Sequence, residues 1–328
     1  MISTDIRKIQ KTGASTFTIS LPKSWITKNN VNSGDKLSIF EDKNGSLNIN
    51  IHTSEKVLSE REIDIDRYDD CALTRKLLAL YLDGSDRIKL VSKRGFDSSK
   101  REAILKHIKR TIGFEISDES KNTMILQDFF SNDYLSFMKS IRRAFIISKF
   151  MLNDAMKTDK QNQKALESIM KWEEEIDRIL FLVKRQTGLA IINSLTLKQL
   201  NINALECMSY KYLIEQIEAI TDHIVAIAQQ NVYSRDMIPD EVFSDIHEFY
   251  EMTLEYYENA MKCYLKKDFY GANSLVDKKD EFLEKKNSIN VKELEKEAII
   301  PVNTIVSNIA SVASHAFNIA EEAVNRTE

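Results

Sequence analysis

Tyr212-Leu213-Ile214-Glu215-Gln216-Ile217-Glu218-Ala219-Ile220-Thr221-Asp222-His223-Ile224-Val225-Ala226-Ile227-Ala228 is a run whose apolar side chains return every three or four residues, with no glycine, proline or strand-like alternation. A 3.6-residue period specifies an amphipathic helix, and it holds from about Phe129 onward. It predicts six helices, at roughly 130–157, 160–187, 203–231, 239–266, 268–296 and 300–326. Pro239 and Pro301 fall where the fourth and sixth begin, in a first turn whose N–H groups lack intrahelical partners anyway. The expectation is two tandem three-helix bundles in up-down order.

Outward from that run, the glycines divide the chain. There are eight glycines and three prolines in 328 residues, well below the usual roughly 7% and 5%, which excludes a loop-rich all-β protein. Six of the glycines lie in the first 113 residues, so the front is turn-rich and the back helical. In the front, apolar residues alternate over Thr16–Leu21, at Leu37 and Ile39, and at Leu47, Ile49 and Ile51. Asn44-Gly45 lies between the last two runs and predicts a hairpin of strands 36–41 and 46–51. A short helix is expected from Pro22 to Asn29, with Trp25 and Ile26 turned inward. A unit of this size with so few strands is marginal alone and should dimerise or dock.

Residues 55–128 read as a small β-α-β-α-β-β module. A strand at 62–66 leads to a helix from Cys71 to Leu82, closed at Asp83-Gly84, and Arg87–Val91 is the next strand. Ser98-Ser99 is the expected cap of a second helix bearing Ile104, Ile108 and Ile112, followed by a hairpin of 114–116 and 123–126. The module carries no Gly-rich phosphate loop, no Ser-His-Asp set and no paired catalytic acids, so its expected role is spacer or dimerisation. No part of the chain reads as an enzyme.

The formal net charge is −4, which argues against a chain that coats nucleic acid or an anionic membrane over its whole surface. The charge is nevertheless uneven. Residues 1–53 hold seven basic and four acidic side chains, a balance of +3, so the remainder carries −7. Cys71, Cys207 and Cys263 are odd in number and widely spaced, which supports neither a disulfide framework nor a zinc finger and fits a reducing cytoplasm. With no signal-peptide core and no apolar run of 18 residues, the expectation is a cytoplasmic protein that does not span a membrane.

Arg7, Lys8, Lys11 and Lys23, doubled in a dimer, would make a basic face for phosphates, with Ser15 and Thr16 as hydroxyl donors to the same backbone. The plainer alternative is that these charges solubilise a strand edge. The order Arg7-Lys8-Ile9-Gln10-Lys11-Thr12-Gly13, then Ile19-Ser20-Leu21-Pro22-Lys23-Ser24-Trp25, then Gly34-Asp35-Lys36-Leu37-Ser38-Ile39 resembles the AbrB/SpoVT swapped-hairpin DNA-binding domain. That resemblance covers residues 4–52 and implies interleaved hairpins in a homodimer that grips duplex DNA through Arg7, Lys8, Lys11, Ser15, Thr16 and Lys23. Ala14-Ser15-Thr16-Phe17 departs from the arginine that many members place after the glycine, and related folds also act as antitoxins.

In the helical part, Glu173 and Asp177 lie one turn apart, as do Glu218 and Asp222. If the two helices are neighbours, four carboxylates converge beside His223, a hard donor set suited to iron, zinc, manganese or magnesium. Acids are so frequent here that about four or five such pairs arise by chance over the helical residues, so spacing alone does not single these out. His223 and His315, set among Ala and Ile, also read as hydrogen-bonded core residues. The run 212–228, and its counterpart Ser307–Glu322 with His315 offset by 92 from His223, resemble the repeated signature of PhoU-type double three-helix bundles. This resemblance covers 129–326 and implies a metal on Glu173, Asp177, Glu218 and Asp222 and a role in phosphate homeostasis. The second copy sets Ala310 and Ser314 where the first has Glu218 and Asp222, so at most one metal site is expected.

The whole is expected to be a multidomain α+β protein: a swapped-hairpin domain at 1–53, an α/β spacer at 54–128 and a PhoU-like region at 129–328. The expected function is a DNA-binding regulator of phosphate uptake, partnered by a phosphate transporter or phosphate-signalling protein. The alternative is a metal-binding adaptor of such a transporter without direct DNA contact. A di-metal carboxylate enzyme is disfavoured by the missing Glu-x-x-His pairs.

Overall fold

The computed structural model describes residues 5–41, 45–51, 58–129, 137–192, 194–289 and 294–326. The chain divides into two compact units, 1–57 and 58–328.

The first unit opens with a hairpin of β1 (Gln10–Thr12) and β2 (Thr16–Thr18), in the register Gln10 to Thr18, Lys11 to Phe17 and Thr12 to Thr16. Its turn needs Gly13 at φ +79°, a conformation that costs other residues strain. Alternation alone misses β1, because Gln-Lys-Thr has no apolar residue to reveal it, and it overextends β2, which ends at Thr18 and not Leu21. Helix α1 (Lys23–Lys28) follows Pro22 with Trp25 and Ile26 half-buried. Strands β3 (Leu37–Glu41) and β4 (Leu47–Ile51) pair antiparallel, Ile39 opposite Ile49. Gly45 has φ +79°, and Asn44 lies outside the described residues. No described residue of this unit is buried, and Ile9, Phe17, Ile19, Ile39 and Leu47 are 54–70% exposed.

In the second unit, β5 (Glu60–Asp64), α2 (Asp70–Leu82), β6 (Arg87–Val91), α3 (Ser98–Arg110), β7 (Phe114–Glu119) and β8 (Thr123–Asp128) follow the order read from sequence. They form one four-stranded sheet ordered β5-β6-β8-β7, with β5 parallel to β6 and the other pairs antiparallel. Asp97 caps α3 by accepting from the Lys100 N–H, so the expected cap at Ser98-Ser99 is one residue late. Ile63, Ile88, Leu90, Met124 and Leu126 of the sheet are buried with Leu73, Leu77 and Ile104 of the helices.

The helical part comprises α4 (Phe137–Ala155), α5 (Gln163–Ile192), α6 (Ser194–Gln199), α7 (Ala204–Ser234), α8 (Asp240–Lys266), α9 (Phe269–Val276), α10 (Lys279–Ser288) and α11 (Lys296–Val324). Helices α4, α5 and α7 pack on one another, α8 and α9 pack with each other and with α11, and α7 against α11 joins the two groups. Two expectations need correction. The helix at 268–296 is two, broken at Asp277-Lys278, where the Tyr256 hydroxyl donates to the Lys278 carbonyl at 3.4 Å. Pro301 does not open the last helix but lies inside α11, in its second turn, where one missing N–H is tolerated at the cost of a single bond.

The sheet and the helices share Arg185 of α5, which is 3% exposed. Its guanidinium donates to the Tyr81 carbonyl, to the Ser85 carbonyl at 2.9 Å and to the Asp128 carboxylate at 3.0 Å. It also lies 4.9 Å from the Tyr81 ring centroid and 5.5 Å from that of Phe114. Removing one partner of a buried ion pair leaves the other charge uncompensated, typically at 3–5 kcal/mol. Arg185→Ala should therefore cost roughly 3–5 kcal/mol in urea unfolding, whereas a loss under about 1 kcal/mol, the range of an exposed pair, would mean that the sheet holds without it.

Candidate functional site

Glu173 and Asp177 lie on α5 and Glu218 and Asp222 on α7, two helices that pack together, and the carboxylates raise one another. Burial, followed by the charges of Asp177, Asp222 and Glu174, pushes the Glu173 carboxyl up to about 7, with Arg110 opposing. Glu218 is raised by burial and then by Asp222 and Asp177, against Lys184. Asp222, at the exposed rim, is raised by partial desolvation and by Asp177, against His223. Arg110, from the last turn of α3, donates to the Asp177 carboxylate at 2.9 Å while its guanidinium lies 5.2 Å from the Phe181 ring centroid.

These are the four carboxylates expected to hold a metal, and the packing of α5 on α7 brings their two helices together. Among the described residues, no group of three or more His, Cys, Asp or Glu is placed to hold a metal ion. Arg110 already neutralises Asp177. The set is an acidic cluster in which Arg110 pairs with Asp177 and burial raises the Glu173 carboxyl.

His223 and His315 meet where α7 crosses α11, their ring centroids 5.6 Å apart. His223 Nδ1 is 2.8 Å from the Asn308 side-chain oxygen, and His315 Nδ1 is 2.8 Å from that of Gln216. With amide oxygens as acceptors, each ring carries its proton on Nδ1. Asn308 and Gln216 each precede a histidine of their own helix by seven residues, so the crossing has a quasi-twofold arrangement with the same offset of 92 seen in the sequence. Burial and the neighbouring His223 hold the His315 imidazole below its ordinary value. Both histidines are thus bonded members of a helix interface.

In the N-terminal unit, Arg7, Lys8, Lys11, Ser15, Thr16 and Lys23 are all exposed. They are not on one face. In the β1/β2 register Lys11 opposes Phe17, and Thr16 opposes Thr12 on the other side of the hairpin, because side chains alternate along a strand. The Thr12 and Thr18 hydroxyls lie 3.2 Å apart on that second side. Arg7 is paired with Asp5 at 2.8 Å, a bond that a phosphate can displace at this exposure.

Residues 10–50 match the family model described as antidote-toxin recognition MazE, bacterial antitoxin. The match lies wholly within the first unit and spans both hairpins and α1. It supports an N-terminal domain of the AbrB/MazE swapped-hairpin type, hence a DNA-binding or antitoxin-type regulator. No curated protein and no solved structure matches the chain. Among the described residues no helix is long and apolar enough to cross a membrane.

Three participants escape sequence reading: Arg110, Arg185 and Gln216. Arg110 is far in sequence from the acids it serves and Gln216 is one polar residue among many on its helix. Asn308 lies in the run 307–322 that the sequence resemblance singled out.

The acidic cluster predicts a pH dependence. An unfolded Glu173 ionises near the ordinary 4.5, a folded one near 7, so between those values the folded chain holds the extra proton and loses stability as pH rises. Glu173→Gln should melt higher than the parent at pH 8 and at the same temperature at pH 4. A difference that is equal at both pH values would contradict the raised carboxyl.

Proposed function

We propose that the chain is a dimeric, cytoplasmic DNA-binding regulator whose helical body reports phosphate status through a transporter or signalling partner. The N-terminal part of this reading rests on the family match over residues 10–50, the +3 balance of residues 1–53, and the exposed Ile9, Phe17, Ile19, Ile39 and Leu47. Five apolar side chains left more than half exposed in so small a unit favour burial against a second copy. The phosphate part rests on the PhoU-like signature of 212–228 and its second copy at 307–322, and is favoured by the matching His–amide pairs at the α7/α11 crossing.

Arg7 and Lys8 together with Lys23 supply charge that phosphates attract, and each backbone contact releases counterions. The purified protein should shift duplex DNA with an affinity that falls steeply as salt rises, and the triple change of Arg7, Lys8 and Lys11 to Ala should flatten that slope and abolish the shift. Binding that ignores salt, or persists in the triple variant, would overturn the DNA reading. Genome-wide mapping of bound DNA should show occupancy near phosphate-uptake genes changing between phosphate-replete and phosphate-starved cells.

A second reading is favoured by the family description itself: an antitoxin-type unit whose apolar hairpin face covers a protein toxin. It requires a co-purifying partner protein, and loss of that partner when Phe17 and Ile19 are changed to Ser. Duplex DNA binding by the free dimer favours the first reading.

A further inference from the structure

A cleft of about 340 Å³ lies between α2 and α3 on the sheet module, outside the acidic cluster and the N-terminal unit. One wall is a single ridge of α3: Glu102, Lys106 and Arg110 are spaced by four residues and so line up along the helix. Arg75 of α2 faces them. The helices start together, since Ser99 and Lys100 at the head of α3 both hold Asp70 at the head of α2. Toward the heads stand Asp70, already satisfied, and Glu102; Arg75 comes little more than a turn after Asp70 on α2, and Lys106 and Arg110 continue along α3. Arg75 and Lys106 are exposed and make no ion pair among the described residues, so this charge is not spent on holding the fold.

We propose that this cleft binds a small organic phosphate ester, its dianion held by Arg75, Lys106 and Arg110 and a hydroxyl or amine of its body donating to Glu102. Three cations match a phosphate dianion better than a single carboxylate, and guanidinium forks take phosphate oxygens two at a time. The volume exceeds that of a bare phosphate and lies at the lower end of small-molecule sites. Arg110 makes the site more than a passive pocket. It is shared with Asp177, so a ligand that recruits the guanidinium alters the compensation of the acidic cluster on α5.

The test is calorimetric titration of the full chain with AMP, glucose 6-phosphate and inorganic phosphate at fixed ionic strength. At least one ester should bind, with an affinity at least tenfold lower in Arg75→Ala and in Lys106→Ala, exposed positions whose loss leaves the fold intact. Asp177→Asn, which frees Arg110 for the cleft, should tighten binding severalfold. Heat from neither ester, or binding unchanged in both cation variants, overturns the site. Inorganic phosphate binding as tightly as the esters overturns the role of Glu102 and the ligand body, and an unchanged affinity in Asp177→Asn overturns the sharing of Arg110.

Discussion

Helix α7 is apolar on more than one side, and the 58–328 unit is organised by the need to cover it. Leu213, Ile214, Ile217, Ile220, Ile224 and Ile227 are all fully buried, which a helix lying on a single neighbour does not achieve. Helices α4 and α5 cover one side and α11 the other. Burying such side chains is worth about 1.5–3 kcal/mol each relative to exposure, so the arrangement of the neighbouring helices follows from α7 more than from their own propensities. The polar groups caught at its crossing with α11 then had to be satisfied, and the two histidine–amide pairs do that.

Two arginines carry the structure beyond that helical centre. Arg185 is buried and binds two carbonyls and a carboxylate of the sheet module, while Arg110 reaches from the module to Asp177. Arg185 uses the planar multi-donor geometry of a guanidinium, for which an ammonium is no substitute. The two arginines differ in purpose. Arg185 is fully enclosed and fixes α5 against the sheet; Arg110 is half-buried, borders an open cleft and pairs with Asp177 beside Glu173, whose carboxyl burial raises.

The element order of the sheet module and most of the helices were legible because periodicity reports burial directly. The failures are equally physical. β1 has no apolar residue, so its pairing with β2 leaves no alternation to read. The break between α9 and α10 has neither proline nor glycine; it is set where Tyr256, Phe249 and Phe317 enclose Phe282, a tertiary arrangement. At the acidic cluster the spacing correctly marked two pairs of carboxylates on packed helices, but spacing carries no information about which cation arrives beside them.

By itself the sequence determined the basic N-terminal unit, the second of its two hairpins and its unmet need for cover, the β-α-β-α-β-β order, and the helical remainder with its 92-residue echo. These follow from local rules of turn chemistry, charge and period, each read within a few tens of residues. Only the tertiary structure decided that Lys11 and Thr16 lie on opposite faces of their hairpin, that Arg110 pairs with Asp177, and that Arg75 and Lys106 face a common cleft. Those outcomes depend on contacts between residues distant in the chain, whose free energies are fixed by packing geometry and not by any pattern along it.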